Sequence, residues 1–222
     1  MNLVVLKVGG ASTGGVADEV ERLRGDGSCV CVVHGAGSQI SEEMVRRGLE
    51  VRFVGGRRFT TPAALEVVLD RVARVNAAIC DSIGADAVSL EGDAVGLRAE
   101  RRPELGLVGT AVPSSPRAVK LALAAGRVPV VTPLAEGPLN VNADEAAAAL
   151  AVGLGAERLL FLTDVSGVFH DGELLHAIDA DRAEAWIDEG RFEGGMVPKL
   201  LAAARAARGG LAAQIGATAV VA

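Results

Sequence analysis

The chain has 222 residues, of which 28 are acidic and 22 basic, and its net charge of −6 argues against non-specific nucleic-acid binding, which needs a basic face. Half of the residues are hydrophobic but only 3% are aromatic, so a sizeable core has to be built from aliphatic side chains, as in sheets covered by helices. No apolar run reaches the roughly 18–20 residues of a membrane span, and the first residues lack the pattern of a secretion signal.

Strands and helices are predicted to alternate along the chain. The first strand is the apolar segment LVVLKV at 3–8, and the helix that follows over 14–27 ends at a glycine. The helix over 115–126 has Ser115 as its predicted cap and Pro116 at its first position. Further strands are predicted over 29–38, 85–92, 127–134, 158–169 and 212–222, a hairpin over 105–112, and further helices over 39–50, 61–84, 143–156 and 198–210.

This alternation is typical of right-handed βαβ units and indicates an α/β fold with a mostly parallel sheet. Ligands of such folds bind beyond the carboxyl ends of the strands, where loops meet helix N-termini. Five segments are predicted to lie at these ends: 7–10, 34–37, 140–144, 163–167 and 194–199. The first two are glycine-rich, which lets backbone N–H groups approach a phosphate, although tight strand–helix turns also use glycine for geometry alone.

Lysine is rare in this chain, since only three of the 22 basic residues are lysines. Two of the three, Lys7 and Lys199, stand in the predicted ligand-binding turns. Two ammonium groups, two glycine turns and one acid, Asp144, suit a polyanion in transfer and therefore indicate phosphoryl transfer. The lysine precedes the glycines, so the pattern differs from the P-loop. The three cysteines lack metal-ligand spacing and predict reduced thiols in the cytoplasm, with no metal site.

The chain resembles the amino acid kinase family in motifs that follow one another over nearly its whole length. These motifs are KVGG, VVHGAGSQI, GRRFTT, LGLVGTAVPSSPRAV, GRVPVVTPL, NVNADEAAAALA, LTDVSGV and GGMVPK. The resemblance implies a single domain, a three-layer αβα sandwich with an open, mostly parallel central sheet. It also implies an N-terminal lobe, about 1–133, for the amino acid and for dimerisation, and a C-terminal lobe, about 134–222, for ATP.

Within the family, the motifs are most similar to those of enzymes that phosphorylate the γ-carboxylate of N-acetyl-L-glutamate in arginine biosynthesis. The resemblance makes Lys7 the contact of the transferring phosphoryl group, Lys199 the neutralising charge on the nucleotide side, and Asp144 the holder of both lysines. Arg58 would grip the substrate α-carboxylate and Asn140 its N-acetyl end. Substrate binding is also implied for Gly35, Ala36, Gly37 and Asn142, and nucleotide binding for Gly9, Gly10, Thr163, Asp164, Val165, Ser166, Gly167, Val168, Gly195 and Met196.

The chemistry of this reaction agrees with the implied roles. A γ-carboxylate with a pKa of about 4.3 is ionised at neutral pH, so no general base is needed and Asp144 is better suited to organise the ammonium groups. A guanidinium grips a carboxylate with two parallel hydrogen bonds, and the spacing in GRRFTT favours Arg58 over Arg57. Mg²⁺ would arrive on the ATP phosphates. Asp144 could instead serve only as the cap of the next helix, and His34 is expected to pack beneath its loop.

The chain departs from the family pattern at one site residue and at both ends. Ala36 stands where the family usually has the middle glycine of a triple-glycine loop. If that position needs a positive φ, alanine costs about 1 kcal/mol, and its methyl group could narrow the pocket. Only 23 residues follow Lys199, so one strand and a connecting segment of the family fold are expected to be missing.

A homodimer that is insensitive to arginine is expected, because the helix that builds hexamers in arginine-regulated relatives has no counterpart before Asn2. The dimer would form through the long helix, whose apolar residues exceed what one sheet face needs. These residues are Leu65, Val68, Leu69, Val72, Val75 and Ile79.

Two other functions stay open. One is a kinase for aminoadipate or glutamate bound to a carrier protein in lysine biosynthesis, which would need a basic rim that GGRRF and RAERRPE could form. The other is a non-catalytic regulator, against which the intact set of Lys7, Asp144 and Lys199 argues.

Overall fold

The computed structural model describes residues 2–10 and 14–222, which form sixteen strands and seven helices. The strands are β1 (Leu3–Val8), β2 (Cys29–His34), β3 (Phe53–Val54), β4 (Arg57–Arg58), β5 (Ala87–Leu90), β6 (Ala99–Arg101), β7 (Val108–Ala111), β8 (Val128–Val131), β9 (Leu134–Ala135), β10 (Leu139–Val141), β11 (Arg158–Leu162), β12 (Phe169–His170), β13 (Glu173–Leu174), β14 (Ala177–Asp179), β15 (Ala212–Ile215) and β16 (Thr218–Val221). The helices are α1 (Val16–Gly25), α2 (Gly37–Arg46), α3 (Pro62–Ile83), α4 (Arg117–Ala124), α5 (Ala143–Leu154), α6 (Ala180–Asp188) and α7 (Met196–Arg208).

The main sheet confirms the predicted α/β class. Its eight strands lie in the order β14, β16, β15, β11, β1, β2, β8, β5, and all neighbours are parallel except β15 and β16. Every residue of β1 is buried, because the strand lies in the middle of the sheet with helices on both faces. One face packs against α1, α2 and α3, and the other against α4 to α7, so two separate aliphatic cores form.

Near one edge of the sheet, inside the edge strand β14, lies the antiparallel pair β15–β16, joined by a tight turn at Gly216 and Ala217. The sequence predicted one or two closing strands here, and two are formed. The face of β15 that carries Ala212 and Gln214 is exposed, whereas α7 packs on the opposite face. The sandwich therefore has three layers over β1, β2, β8 and β5 but only two over β15.

Several short strands and one helix were not predicted from the sequence. A second sheet of four strands, in the order β6, β7, β10, β9, includes the predicted hairpin as β6–β7, and two further hairpins are formed by β3–β4 and β12–β13. Strands of two or three residues are too short to show the alternation of apolar and polar side chains from which strands are predicted. Helix α6 was also missed.

The predicted start of α4 was wrong by one residue. Pro116 has an extended backbone (ψ 135°) and its carbonyl oxygen accepts the first helical hydrogen bond, so Pro116 is the cap and Ser115 makes no cap bond. Pro116 lies next to Gly96 in the fold, and tertiary packing thus fixes the entry to this helix. By contrast, the Thr61 hydroxyl accepts from the Ala64 N–H as the start of α3 predicts.

In the described part of the chain, none of the helices combines the length and the apolar character needed to cross a membrane.

Candidate active site

The carboxyl end of β1 and the start of α5 bring the first predicted lysine onto the predicted acid. Lys7 Nζ lies 2.6 Å from Asp144 Oδ1, and both side chains are more than nine-tenths buried. The contact is an ion pair by distance but not an aligned hydrogen bond, so Asp144 Oδ1 has no hydrogen-bond partner among the described residues. The Asp144 carboxylate thus fixes the position of the Lys7 ammonium group and leaves its N–H donors available.

The second lysine comes from the first turn of α7 and faces the same cavity. Lys199 Nζ donates to Gly195 O at 3.0 Å. Burial lowers the pKa of Lys199, Asp144 and Asp164 oppose that shift, and Lys7 adds to it. The two ammonium groups therefore lie close enough to repel each other, and the carboxylates of Asp144 and Asp164 offset that repulsion.

The two glycine turns form the walls of this cavity, whose volume is about 380 Å³. The lining residues are Lys7, Gly9, Gly10, Gly35, Gly37, Ser38, Asn142, Ala143, Asp144, Leu162, Thr163, Asp164 and Lys199. The Gln39 side-chain amide donates to Gly10 O at 2.7 Å and so ties the two turns together. A side-chain carbon on Gly10 would lie 3.0 Å from Ala36 Cα and 3.1 Å from Gly35 O, a close backbone approach that favours glycine. Residues 11–13, which follow Gly10, lie outside the described residues.

A second cavity of about 110 Å³ adjoins the first across the Gly35–Gly37 turn and holds Arg58. The guanidinium of Arg58 donates to Gly37 O at 2.9 Å and to Ser41 Oγ at 2.8 Å, and it lies over the ring of Phe53. The residue is only 6% exposed, and burial lowers the pKa of Arg58 to about 10. Among the described side chains, no carboxylate pairs with it. A buried guanidinium without an acid partner can bind a carboxylate.

The two predicted asparagines take different places in the smaller cavity, which both of them line. Asn140 Nδ2 donates to Thr60 Oγ1 at 3.0 Å. Asn142 Oδ1 accepts from the backbone N–H groups of Asp144 and Glu145, so Asn142 is the cap of α5. Because Asn142 occupies the cap position and Asp144 lies in the first turn of α5, the alternative in which Asp144 serves only as the helix cap is wrong.

The predicted nucleotide turn at 163–168 divides into two parts. Thr163 and Asp164 line the larger cavity, and Val165 and Ser166 are exposed beside it. Gly167 and Val168 are buried, and the Val168 N–H donates to Thr218 Oγ1 at 2.8 Å. Neither Gly167, Val168, Gly195 nor Met196 lines the cavity, so their contact with nucleotide stays a prediction.

The backbone at Ala36 is not strained. Its φ is −141°, outside the region that needs glycine, so the predicted cost of about 1 kcal/mol is absent. Ala36 is 2% exposed and lines the smaller cavity but not the larger one. The replacement of glycine by alanine therefore affects the smaller cavity and not the larger one.

His34 packs beneath its loop as the sequence predicts. It is fully buried, its Nε2 lies 3.2 Å from Asn76 Nδ2, and burial lowers its pKa to about 4. Asn76 in turn donates to Val130 O and accepts from the Ser89 hydroxyl. Sequence reasoning missed Asn76, although an asparagine among the apolar positions of α3 is the kind of residue that marks a buried polar network.

The described residues contain no group of three or more histidine, cysteine, aspartate or glutamate side chains that could hold a metal ion. The charges that face the larger cavity are the two lysines, Asp144 and Asp164. Such a site can neutralise a phosphate chain, and the neighbouring Arg58 can hold a carboxylate.

Fold and site together define a phosphate-handling α/β protein, and the comparisons with known proteins agree. The chain matches the amino acid kinase family over residues 2–216 and belongs to that family. It is 42% identical to an acetylglutamate kinase from Rubrobacter xylanophilus, over 97% of this chain and 88% of that protein. It is 39% identical to one from Saccharopolyspora erythraea, over 94% of this chain and 77% of that protein.

Solved structures support the fold at lower identity. The protein smu.665 from Streptococcus mutans superposes with a TM-score of 0.87 at 24% identity, and 99% of this chain and 98% of that chain are covered. The carbamate kinase from Giardia lamblia bound to AMP-PNP has a TM-score of 0.70 at 14% identity, with 99% and 98% covered.

Proposed function

We propose that the chain is an acetylglutamate kinase, which transfers the γ-phosphoryl group of ATP to the γ-carboxylate of N-acetyl-L-glutamate. The observation that carries this proposal is the buried guanidinium of Arg58, which has no acid partner among the described side chains and adjoins the cavity of Lys7, Asp144 and Lys199. The relatives at about 40% identity over nearly the whole chain support the same activity.

The reaction follows from the charges of the two cavities. Arg58 holds the α-carboxylate, and the γ-carboxylate then points past the Gly35–Gly37 turn toward the phosphates. A carboxylate oxygen attacks the γ-phosphorus, the bond to the β,γ-bridging oxygen breaks, and ADP leaves. The nucleophile is already ionised, so no proton has to move. Lys7 and Lys199 neutralise the charge that develops on the transferred group, and Asp144 keeps both in place.

Mg²⁺ enters as part of the substrate, carried by the ATP phosphates. Hard cations prefer oxygen ligands, and Asp164 at the rim of the larger cavity is the acid that could face it. The nucleotide would extend from the lysines along the turn at 163–168 and past Gly195 and Met196. Residues of about 1–133 would then serve the amino acid, and those of about 134–222 the nucleotide.

The assay that tests the activity traps acyl phosphate as a hydroxamate. N-acetylglutamate, glutamate, aspartate and aminoadipate are compared with MgATP under the same conditions. We expect product from N-acetylglutamate at a kcat/KM well above that of the other three acids. Product from a different acid alone, or from none, would refute the proposed function.

Two segments could form the basic rim that a kinase for a carrier-bound acid needs. In RAERRPE, Arg98 and Arg101 are exposed, so that part of the alternative stays a prediction, whereas GGRRF gives it no support. Arg57 pairs with Glu145 at 2.9 Å and Arg58 is buried, so GGRRF offers no basic rim. The non-catalytic alternative is weakened by the contact of Lys7 with Asp144, because an ion pair of two buried side chains is costly to retain without use.

We also infer a cytoplasmic homodimer. The three cysteines are free, and burial raises the pKa of Cys31 to about 12, which suits an inert thiol in a reducing compartment. The apolar stripe that was expected to form the dimer is mostly used within the subunit: Leu65, Val68, Val72, Val75 and Ile79 are buried. Leu69 is 37% exposed, so a dimer through α3 has to form on the outward face at Leu69.

A further inference from the structure

The hairpin β3–β4 contacts the C-terminal half of the chain at three points. The Asn142 side-chain amide donates to Gly56 O at 3.1 Å. Arg57 Nη2 lies 2.9 Å from Oε1 of Glu145, in the first turn of α5. A side-chain carbon on Gly56 would lie 3.7 Å from Pro198 Cβ, so the tip of the hairpin packs on the start of α7. The hairpin therefore bridges the two halves of the site.

The ion pair is the only charged contact among these three, and it is shielded from solvent. The side chains of Arg57 and Glu145 are 27% and 17% exposed, and burial raises the pKa of the Glu145 carboxyl although Arg57 opposes the shift. Removing two charges from water offsets most of their attraction, so such a pair adds little stability over apolar side chains. What the pair supplies is a defined distance and orientation.

Arg57 and Glu145 form an ion pair by distance, through Nη2 and Oε1. Arg57 Nε and Glu145 Oε2 are buried and have no hydrogen-bond partner in the described part of the chain. The contacts of Gly56 and Arg57 thus hold the hairpin against the starts of α5 and α7.

Each partner of the ion pair is the sequence neighbour of a site residue. Arg57 precedes Arg58, which pairs with no acid among the described side chains, and Glu145 follows Asp144, which contacts Lys7. Any change in the separation of Arg57 and Glu145 therefore moves the carboxylate-binding group relative to the lysines.

We propose that Arg57 and Glu145 are positioning residues whose ion pair sets the spacing between the amino-acid cavity and the phosphoryl-transfer cavity. The inference rests on the proposed function only in that Arg58 holds the acceptor acid. Without the pair, Arg58 still binds its carboxylate, but the acceptor oxygen loses its alignment with the γ-phosphorus. A misplacement of about 1 Å can lower the rate by up to about 100-fold, and binding changes far less.

The test is a double-mutant cycle on kcat with Arg57→Gln, Glu145→Gln and the double variant. Each single variant should lower kcat roughly tenfold to 100-fold and change either KM less than about threefold. The double variant should be no worse than the poorer single variant, because both remove one interaction. The exchange Arg57→Glu with Glu145→Arg should recover part of the lost kcat. The matched control is Arg74→Gln, which breaks the exposed Arg74–Asp70 pair of 3.0 Å on α3 and should leave kcat unchanged.

The outcomes distinguish a positioning role of the ion pair from a purely stabilising one, and they test that role separately from the proposed function. If the single variants lose melting temperature but keep kcat within twofold, or if their losses multiply in the double variant, the positioning role is refuted. The cycle uses whichever acid the hydroxamate assay identifies. A failure of N-acetylglutamate as substrate thus overturns the proposed function while leaving the ion-pair inference open to the same measurement.

Discussion

At the scale of single residues, the site is defined by buried cationic groups. Arg58 has no acid partner, since it contacts a carbonyl oxygen, a hydroxyl and an aromatic ring but no described carboxylate. Lys7 is paired with Asp144, and Lys199 has Asp144 and Asp164 nearby. Groups of this kind are unfavourable for folding and are retained where a ligand completes them.

Arg58→Met should therefore separate stability from binding. Methionine has a similar volume and no charge, so the free energy of unfolding should stay the same or rise by about 1 kcal/mol. KM for N-acetylglutamate should rise roughly 100-fold or more, since two charge-assisted hydrogen bonds are lost, and kcat should fall less. Arg58→Lys keeps the positive charge but loses the planar pair of N–H donors, so its KM should lie between those of the wild type and Arg58→Met. An unaltered KM with kcat abolished would show that Arg58 does not hold the amino acid.

Lys7→Ala and Lys199→Ala should act on the transfer step. Each removes one preorganised partner of the transition state, so kcat should fall by roughly 10²–10³. KM for the amino acid should change little, because neither lysine lines the smaller cavity. Steady-state kinetics on both variants tests this role of the lysines. Lys120→Ala, which lies outside both cavities, is the control. A loss confined to KM would mean that the lysines only bind substrate.

His34 should make folding sensitive to acid. Its pKa is about 4 in the folded chain and near 6.5 when unfolded, so between these values the unfolded state binds one more proton. Stability should fall as pH drops from 6.5 to 4, by about 3 kcal/mol in total from this group. Urea unfolding across that range should show a shallower pH slope for His34→Gln than for the wild type. His176→Gln, at an exposed position, should keep the wild-type slope.

At the scale of secondary-structure elements, helix termini position the site. The start of α5 places Asp144 against Lys7, and the start of α7 places Lys199 beside the same cavity. Both helices begin at the carboxyl side of the sheet, where their positive ends face a bound anion. The hairpin β3–β4 then fixes Arg58 relative to both helices.

Two helix caps, one an asparagine and the other an aspartate, allow a matched comparison. Asn142 caps α5 and Asp179 caps α6, each with Oδ1 accepting two backbone N–H groups. Asn142→Ala and Asp179→Ala should each cost about 1 kcal/mol of stability. Only Asn142→Ala should also lower kcat, because it frees the turn that carries Asp144. Equal kcat in both variants would show that the cap does not position the acid.

At the scale of the whole molecule, the proposed function assigns both substrates to one sheet. Strands β1, β2, β8 and β5 would carry the amino-acid side, and β11, β15, β16 and β14 the nucleotide side, where α5, α6 and α7 pack on the sheet. Strand β14 forms the edge, and the antiparallel β15–β16 pair lies just inside it, with one face of β15 exposed.

The proposed homodimer should appear in light scattering as twice the subunit mass of 22.6 kDa. Leu69→Glu should shift the protein toward the monomer, because Leu69 is the stripe residue that α3 leaves exposed. Leu121→Glu on α4, also exposed, is the control that should leave the mass unchanged. A monomeric wild type, or a dimer unaffected by Leu69→Glu, would contradict an interface at this face.

The sequence by itself determined the α/β class, the order of the long elements and the turns that carry the site. Buried strands and amphipathic helices are encoded by local apolar periodicity, and the motifs around Lys7, Asp144 and Lys199 lie at strand and helix ends that this periodicity locates. Spacing predicts Arg58 rather than Arg57 as the substrate-binding residue; in the structure Arg58 is buried beside the smaller cavity and Arg57 is paired with Glu145.

Only the tertiary structure decided which residues meet across the chain. Asn142 rather than Asp144 caps α5, and Asn76 lies within hydrogen-bond distance of His34. Most of the apolar residues of the α3 stripe are buried within the subunit. Glu145 lies 2.9 Å from Arg57 although 88 positions separate them (145 − 57). These facts depend on contacts between segments that are distant in sequence, and local periodicity carries no information about them. The same reason explains why Ala36 is unstrained, because the φ of a loop residue is set by the elements that the loop joins.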